Sequence, residues 1–347
     1  MSATYLPLTI THIKEEVPDV KTFVFGGEDA QAISYLPGQY LTLVAQNKQE
    51  EIRRSYSITS APALGEPLAI GVKRIENGFL SRQLIDQARV GDTLQTIGAA
   101  GFFTLPEEMT AYPQVFFWAA GSGITPINAL IKTLLYAHPG VSVVLVYSNH
   151  SPQTTIFLLE LQLLAQQHPA RFQVKFLFSI SPRLSEARLH KDLLKELVRH
   201  YSKVSAENLL CYVCGPENYR RLCLYGLREM GIPAANIRQE TFSTVKVITK
   251  ETPPDTDPHT VTIQYQHQVY QLSTQYPDTI LQAAKKAGLS LPYSCEAGRC
   301  GNCAATCLQG QVWMSYNEVL TDREVAQGLV LTCVGYPVGG DAVLKIG

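Results

Sequence analysis

The sequence predicts a multidomain protein: an antiparallel β-barrel, then an α/β domain on a parallel sheet, then a small α+β domain. Three observations predict it. The chain has 347 residues, and at about 150 residues per domain that length holds two or three cores. Near residue 113 the apolar rhythm changes from short alternating runs to continuous ones. Cysteines are segregated: the first 210 residues have none, and five of the eight lie in the last 53.

From residue 5 to about 104, runs such as TFVFGG, QYLTLVA, SYSITS and LAIGVKR are punctuated by Pro37-Gly38, Gly65, Gly71, Gly91 and Gly98. Alternation broken by turn residues at short intervals is the pattern of a barrel or sandwich. From about 113 to 243, the apolar runs VFFWAA, VSVVLVYS, FQVKFLFS and LLCYVCG alternate with amphipathic helical patterns. Strands apolar throughout must be covered on both faces, which places them in a parallel sheet. The proline-rich stretch VKVITKETPPDTDPH has little to bury and is expected to be a semi-rigid linker. A hairpin (VTIQYQHQVYQLS), a helix (TILQAAKKAG), a cysteine-rich loop and closing strands follow. The expected boundaries are 1–104, 105–243, a linker at 244–258, and 259–347.

Hydrophobic residues make up 46%, charged residues 17%, and the formal net charge is -1. These values exclude disorder and a polyanion-binding surface, so no nucleic-acid partner is expected. The longest charge-free stretch, Met109 to Ile131, contains two prolines, two glycines and several polar residues, so no membrane span is expected. The start, MSATYLPLTITHIKEE, shows no basic-then-apolar pattern of a secretory signal, which makes the cytoplasm the expected compartment.

Cys295, Cys300 and Cys303 stand as C-x4-C-x2-C in PYSCEAGRCGNC, and Cys333 follows after 29 residues in VLTCVG. Three thiolates from one loop and a fourth from a returning strand form the plant-type ligand set for a 2Fe-2S cluster. Gly298 and Gly301 allow such a loop to curl and aim its amides at sulfur. A rival set replaces Cys333 by Cys307, for zinc or a four-iron cluster. In an extended CAATC, however, Cys303 and Cys307 lie about 13 Å apart at roughly 3.3 Å per residue. Cys307 then reads as a small buried residue. Cys211 and Cys214 resemble a redox pair, but three residues apart on a strand they face opposite sides. Cys223 falls on the apolar stripe of a helix and reads as core.

RRSYSITS puts Arg54, Tyr56 and Ser57 in a strand, and Gly78 and Ser81 of NGFLSRQLIDQA open a helix whose free amides suit a phosphate. An arginine, an aromatic plate and a helix N-terminus in one barrel fit a flavin dinucleotide. In FFWAAGSGITPINALI, a strand runs into Gly121, Ser122, Gly123, Ile124, Thr125 and Pro126, then a helix. Thr125 is the expected N-cap and Pro126 the expected first helical residue, so amides would meet a pyrophosphate. Cys214, Gly215 and Pro216 lie between a strand and a helix, at the sheet edge where ligands bind.

With these motifs in hand, nearly the whole chain resembles the ferredoxin-NADP reductase superfamily fused to a C-terminal plant-type ferredoxin of β-grasp fold. The domain order is most like reductase subunits that serve phenylacetyl-CoA epoxygenase and ketosteroid hydroxylases. The resemblance implies FAD, a 2Fe-2S cluster and NADPH or NADH as donor. It implies that Arg54 contacts the flavin pyrophosphate, Tyr56 packs on the isoalloxazine, Ser57 lies near its N5, and Gly78, Phe79, Leu80 and Ser81 cradle phosphates. Residues 121 to 126 would hold the nicotinamide nucleotide, with Thr125 near the ring. Cys214, Gly215 and Pro216 would border the hydride-transfer site. Glu240-Thr241-Phe242 matches the terminal acidic-x-aromatic tail near the flavin, which makes Ser57, Cys214 and Glu240 the candidate catalytic residues and Phe242 a cofactor contact. His150 stands where many relatives carry arginine, and Ser179-Ile180 where some NADPH enzymes carry Ser-Arg.

Nicotinamide gives up two electrons together and a cluster accepts one, so a flavin must stand between them. The expected activity is therefore an NAD(P)H-dependent reductase passing electrons through FAD and the cluster to an oxygenase or other redox protein. A non-catalytic redox sensor or electron-storage module on the same cluster is the competing reading; it would not turn over.

Overall fold

A computed structural model describes residues 5–47, 50–243 and 251–347. The first part contains β1 (Leu6–Val17), β2 (Val20–Gly26), α1 (Glu28–Ala32), β3 (Tyr40–Asn47), β4 (Glu50–Ser57), β5 (Ala69–Lys73), α2 (Phe79–Gln87) and β6 (Thr93–Ala100). The sheet runs β4-β3-β6-β1-β2-β5, antiparallel at every pairing. A bridge from Ile58, just past β4, to Ile70 on β5 joins its two edges. Alternate residues Leu8 and Ile10, Phe23 and Phe25, Leu41 and Leu43, and Ile70 and Val72 fill the interior, as a period of two requires. The expected barrel is present.

The second part holds β7 (Gln114–Ala120), α3 (Ile124–Ala137), β8 (Ser142–Asn149), α4 (Leu158–Gln167), β9 (Phe172–Phe178), α5 (Leu184–Ala187), α6 (Lys191–Tyr201), β10 (Leu209–Cys214), α7 (Glu217–Glu229) and β11 (Ile237–Glu240). Its strands run β11-β10-β7-β8-β9, all parallel. Val115, Phe117 and Ala119 of β7 pack with α3 on one face, and Phe116 and Trp118 pack with α6 and α7 on the other. Burial on both faces is why this strand lacks alternation. The charge-free stretch resolves into β7, a tight turn and α3. Among the described residues no helix is long and apolar enough to cross a membrane.

Contacts divide the chain into two units, with the boundary between Thr241 and Phe242; the barrel and the parallel sheet share one. The second unit contains β12 (His259–Tyr265), β13 (Gln268–Thr274), α8 (Ile280–Lys286), β14 (Ala304–Gln309), β15 (Val312–Met314), α9 (Asp322–Ala326), β16 (Leu329–Leu331), β17 (Gly335–Pro337) and β18 (Ala342–Ile346). Its main sheet runs β13-β12-β18-β14-β16, and β15 pairs with β17. Gln266 and His267, both at positive φ, make the two-residue hairpin turn. Thr279 and Gln282 form a capping box at the start of α8.

Of the expected linker, residues 244–250 lie outside the described residues. Residues 251–258 form no helix or strand. Pro253 is buried, and Asp255 accepts hydrogen bonds from His259 Nε2 at 2.6 Å and from the Gly339 amide at 2.7 Å. This stretch is fastened to the second unit by a carboxylate that composition alone did not single out.

Candidate functional site

The barrel contribution lies on β4, where Tyr40 pairs with Ser57, Leu41 with Tyr56 and Leu43 with Arg54. Arg54 and Tyr56, two apart, share a strand face. Arg54 is exposed and Tyr56 half-buried, while Ser57 is buried. Burial holds the Tyr56 phenol well above its ordinary range, with Arg54 acting against it. Of the two adjacent arginines, Arg53 is the buried one, paired through Nε to Glu51 at 2.7 Å. Arg54 is thereby the cation open to a ligand.

Gly78 is the N-cap of α2. A Cβ there would sit 2.3 Å from Ile75 Cγ1 and 2.4 Å from Ser81 Oγ, so the turn is too tight for a side chain. Ser81 Oγ donates to the Gly78 carbonyl and accepts from the Ile75 amide, each at 3.3 Å. The first amides of α2, from Phe79, Leu80 and Ser81, lack intrahelical acceptors, as at any helix start. An exposed guanidinium, an aromatic face and an open helix end together suit a ligand with a planar ring and phosphates.

The nucleotide loop differs from expectation in one detail. Gly121–Gly123 form a 3-10 turn that winds straight into α3. The N-cap is Gly123, in helical conformation, so Thr125 and Pro126 are the second and third helical residues. Thr125 is therefore not the cap; its hydroxyl donates back to the Ser122 carbonyl at 2.9 Å. Tyr147 OH, donating to the Gly121 carbonyl at 2.9 Å, pins the glycine at φ 54°.

This loop touches the second sheet-edge motif. A Cβ on Gly123 would lie 2.1 Å from the Cys214 carbonyl oxygen, and one on Gly215 would lie 3.0 Å from Ala120 Cβ. Pro216 caps α7. Strand order reverses between β7 and β10, so both loops rim the crevice where α/β sheets take ligands. Cys214 pairs in register with Glu240 on β11. Its thiol is pushed well up by burial and then by the Glu240 carboxyl, against an opposing effect of Arg220. Cys211 and Cys214 pack into opposite cores and both are free thiols, as their spacing implies; Cys223 is fully buried core. Phe242 is exposed and falls past the unit boundary. At the ends of β8 and β9, His150 Nδ1 lies 3.1 Å from Ser179 Oγ, and Ile180 is exposed.

Burial raises the Glu240 carboxyl from 4.5 to about 8, and its Oε2 has no hydrogen-bond partner. Between these two values the folded chain keeps a proton that the unfolded chain has lost. Stability therefore falls as pH rises through that window. Glu240→Gln should flatten that part of the curve in the flavin-free chain, measured by urea unfolding at several pH values. An unaltered slope would show that the carboxyl ionises normally.

The sulfur site occupies the loop before β14. Gly298 and Gly301 adopt positive φ of 68° and 78°, and a Cβ on Gly298 would meet the Tyr316 carbonyl oxygen at 2.8 Å. The Cys300 thiol and then the amides of Arg299, Ala297 and Cys300 direct hydrogens at Cys295 Sγ, pushing Cys295 down to about 6. The thiols of Cys303 and Cys333 interact in the same way. Among the described residues, no three His, Cys, Asp or Glu side chains converge as on a single ion. Two thiol pairs fit two irons, each with two protein ligands. Cys307 is half-buried rather than buried: β14 shifts register against β18 just beyond it, and its thiol donates to the Gln309 carbonyl at 3.4 Å.

Sequence reasoning passed over two residues here. Arg220 is 2% exposed on α7 and donates to Gln239 Oε1 at 2.8 Å. Its position three residues before Cys223, on the same buried stripe, was the available signal. The other, Lys132, meets a partner 66 positions away and left no local pattern.

Three family descriptions match in order: "Oxidoreductase FAD-binding domain" over residues 7–105, "Oxidoreductase NAD-binding domain" over 117–223, and "2Fe-2S iron-sulfur cluster binding domain" over 266–338. The ferredoxin reductase component of 3-ketosteroid-9-alpha-monooxygenase from Rhodococcus rhodochrous is 31% identical, over 95% of this chain and 94% of the relative. One of the subunits of 1,2-phenylacetyl-CoA epoxidase from Escherichia coli K12 is also 31% identical, over 98% and 97%. Phthalate dioxygenase reductase shares the fold, with a TM-score of 0.59 and 23% identity over 99% of this chain and 98% of that one. An intact type IV self-sufficient cytochrome P450 monooxygenase matches with a TM-score of 0.75 and 20% identity, over 99% of this chain; the chain spans 41% of that protein's length. FAD, NAD(P)H and a 2Fe-2S cluster are thus the groups this oxidoreductase uses. The chain belongs to the family of reductase components that join an FAD-binding domain, an NAD-binding domain and a C-terminal 2Fe-2S domain in one polypeptide.

Proposed function

We propose that this reductase delivers electrons from NAD(P)H to an oxygenase component, with a phenylacetyl-CoA epoxygenase as the specific candidate, in the cytoplasm. The two 31% identical relatives, whose names tie them to a monooxygenase and an epoxidase, support that reading. Bound FAD supplies the conversion between a two-electron donor and a one-electron acceptor. Arg54 neutralises its pyrophosphate, Tyr56 packs against its ring, Ser57 orients the reacting edge, and the start of α2 holds phosphate oxygens. Gly121, Ser122, Gly123, Thr125 and Pro126 shape the floor for the nicotinamide nucleotide, and Cys214, Gly215 and Pro216 form its far wall. Glu240, its carboxyl raised to about 8 by burial and in register with Cys214, is the group on β11 that would hold a proton beside the crevice. Cys295, Cys300, Cys303 and Cys333 hold the cluster. The domains extend over 1–104, 105–243 and 259–347, with 244–258 between them.

The observation that carries this reading is the co-occurrence in one chain of a phosphate-ready barrel, a nucleotide crevice and two thiol pairs, one site for each carrier that transfer from NAD(P)H through FAD to the cluster requires. Anaerobic titration of the purified protein with NADH and NADPH tests it. The visible spectrum should show flavin bleaching before cluster bleaching, followed by steady reduction of cytochrome c. A cluster reduced while the flavin stays oxidised, or no steady turnover, would favour the sensor reading. Adding the purified epoxygenase components should make nucleotide consumption depend on the acyl-CoA substrate; indifference would remove that candidate.

A further inference from the structure

Helix α3 carries the nucleotide loop at its start and lies against the barrel. At its first turn, Thr125 meets Gly71 of β5 so closely that a Cβ on the glycine would be 2.6 Å from Thr125 Cγ2. Seven residues on, on the same helix face, Lys132 is 8% exposed. Its ammonium contacts both carboxylate oxygens of Glu66, at 2.7 and 2.9 Å. Glu66 belongs to the segment between β4 and β5, and its Oε2 also accepts the Ala61 amide at 2.7 Å. Ala61 lies four residues beyond Ser57. A second carboxylate, Glu160 of α4, stands 3.7 Å from the ammonium and accepts from Asn128 Nδ2 at 3.0 Å. Lys132 thus has one acidic partner in each half of the unit, and only Glu66 crosses between them.

Apolar packing between the halves, such as Leu130 beside Gly38, resists separation but is non-directional and permits sliding. The Lys132 ammonium is largely buried while Glu66 is partly exposed, and Glu66 is itself oriented by the Ala61 amide, so the pair ties α3 to one point of the β4–β5 segment by a charge-assisted contact. We propose that Lys132, through Glu66, is a positioning residue for hydride transfer, locking the nucleotide loop in register with the Ser57 end of β4. This rests on the assignment of those two segments to nucleotide and flavin given above. Register matters because a displacement of about 1 Å between reacting groups costs on the order of a hundredfold in rate.

The test is stopped-flow flavin reduction by the preferred nucleotide in the holoenzyme, comparing Glu66→Gln, Lys132→Met and Glu160→Gln. Glu66→Gln keeps an acceptor for the Ala61 amide and is the variant that preserves the fold if Lys132→Met does not. Glu66→Gln should lower the limiting rate about tenfold or more, with nucleotide affinity held within about threefold. Glu160→Gln, which leaves the crossing contact intact, should change neither beyond about twofold. In the flavin-free chain, hydrogen exchange of residues 58–66 and 121–132 should quicken in Glu66→Gln and in Lys132→Met but not in Glu160→Gln. Equal effects of Glu66→Gln and Glu160→Gln, or a loss confined to affinity, would overturn the proposal. No flavin reduction in the unaltered protein would instead reject the assignment on which it rests.

Discussion

Cys333→Ser is expected to yield a folded flavoprotein that still reduces ferricyanide with NAD(P)H within about twofold, while cytochrome c reduction drops about a hundredfold or more. The separation follows from the two units of the chain and from the pairing of thiols. On the proposed assignment Cys303 and Cys333, whose thiols interact, would hold one iron together, so the loss of Cys333 would leave that iron a single protein thiolate. The Thr332 amide and hydroxyl both hold the Cys303 carbonyl at 3.1 Å, and serine at 333 does not disturb them. Iron and acid-labile sulfide analysis with the visible spectrum checks the outcome. Retention of full cytochrome c activity would mean that the cluster is not the exit for electrons.

The second large effect is expected at Gly123. An alanine Cβ would lie 2.1 Å from the Cys214 carbonyl oxygen, 2.5 Å from its carbon and 2.9 Å from the Gly215 nitrogen. All three are backbone atoms, so no side chain can swing away, and the two crevice loops must move apart. Nucleotide-driven flavin reduction should fall about a hundredfold, with flavin content preserved because α2 and β4 are untouched. Gly140→Ala is the control: nothing lies within 4 Å of the added carbon and the backbone is not left-handed. That change should stabilise the chain slightly, by about 0.4–1 kcal/mol through the unfolded state. A Gly123→Ala enzyme reduced at the normal rate would show that the two loops do not form one site.

Much of this was legible because the relevant signals are local. The change from alternating to continuous apolar runs marks where one-sided barrel strands give way to β7, covered on both faces. The spacing of Cys295, Cys300 and Cys303 encodes a loop that can present several sulfurs, and the glycines inside it announce its curvature. What escaped were choices made by neighbours distant in sequence. The motif points to Arg54, but the reason it is the exposed one, that Glu51 takes Arg53, lies outside that motif. Whether Thr125 caps α3 depends on how Gly121 is pinned by Tyr147 from the adjacent strand. The bridge from Lys132 to Glu66 joins segments with no common period.

The placement of β18 bears on how the protein is made. This strand lies at the centre of its sheet, parallel to β12 on one side and antiparallel to β14 on the other, although it comes last in sequence order. The hairpin that emerges first from the ribosome therefore waits for residues 342–346 before its neighbour exists. Non-local pairing of this kind delays folding. Iron delivery should consequently follow the synthesis of β18, acting on chains in which residues 342–346 have already joined the sheet.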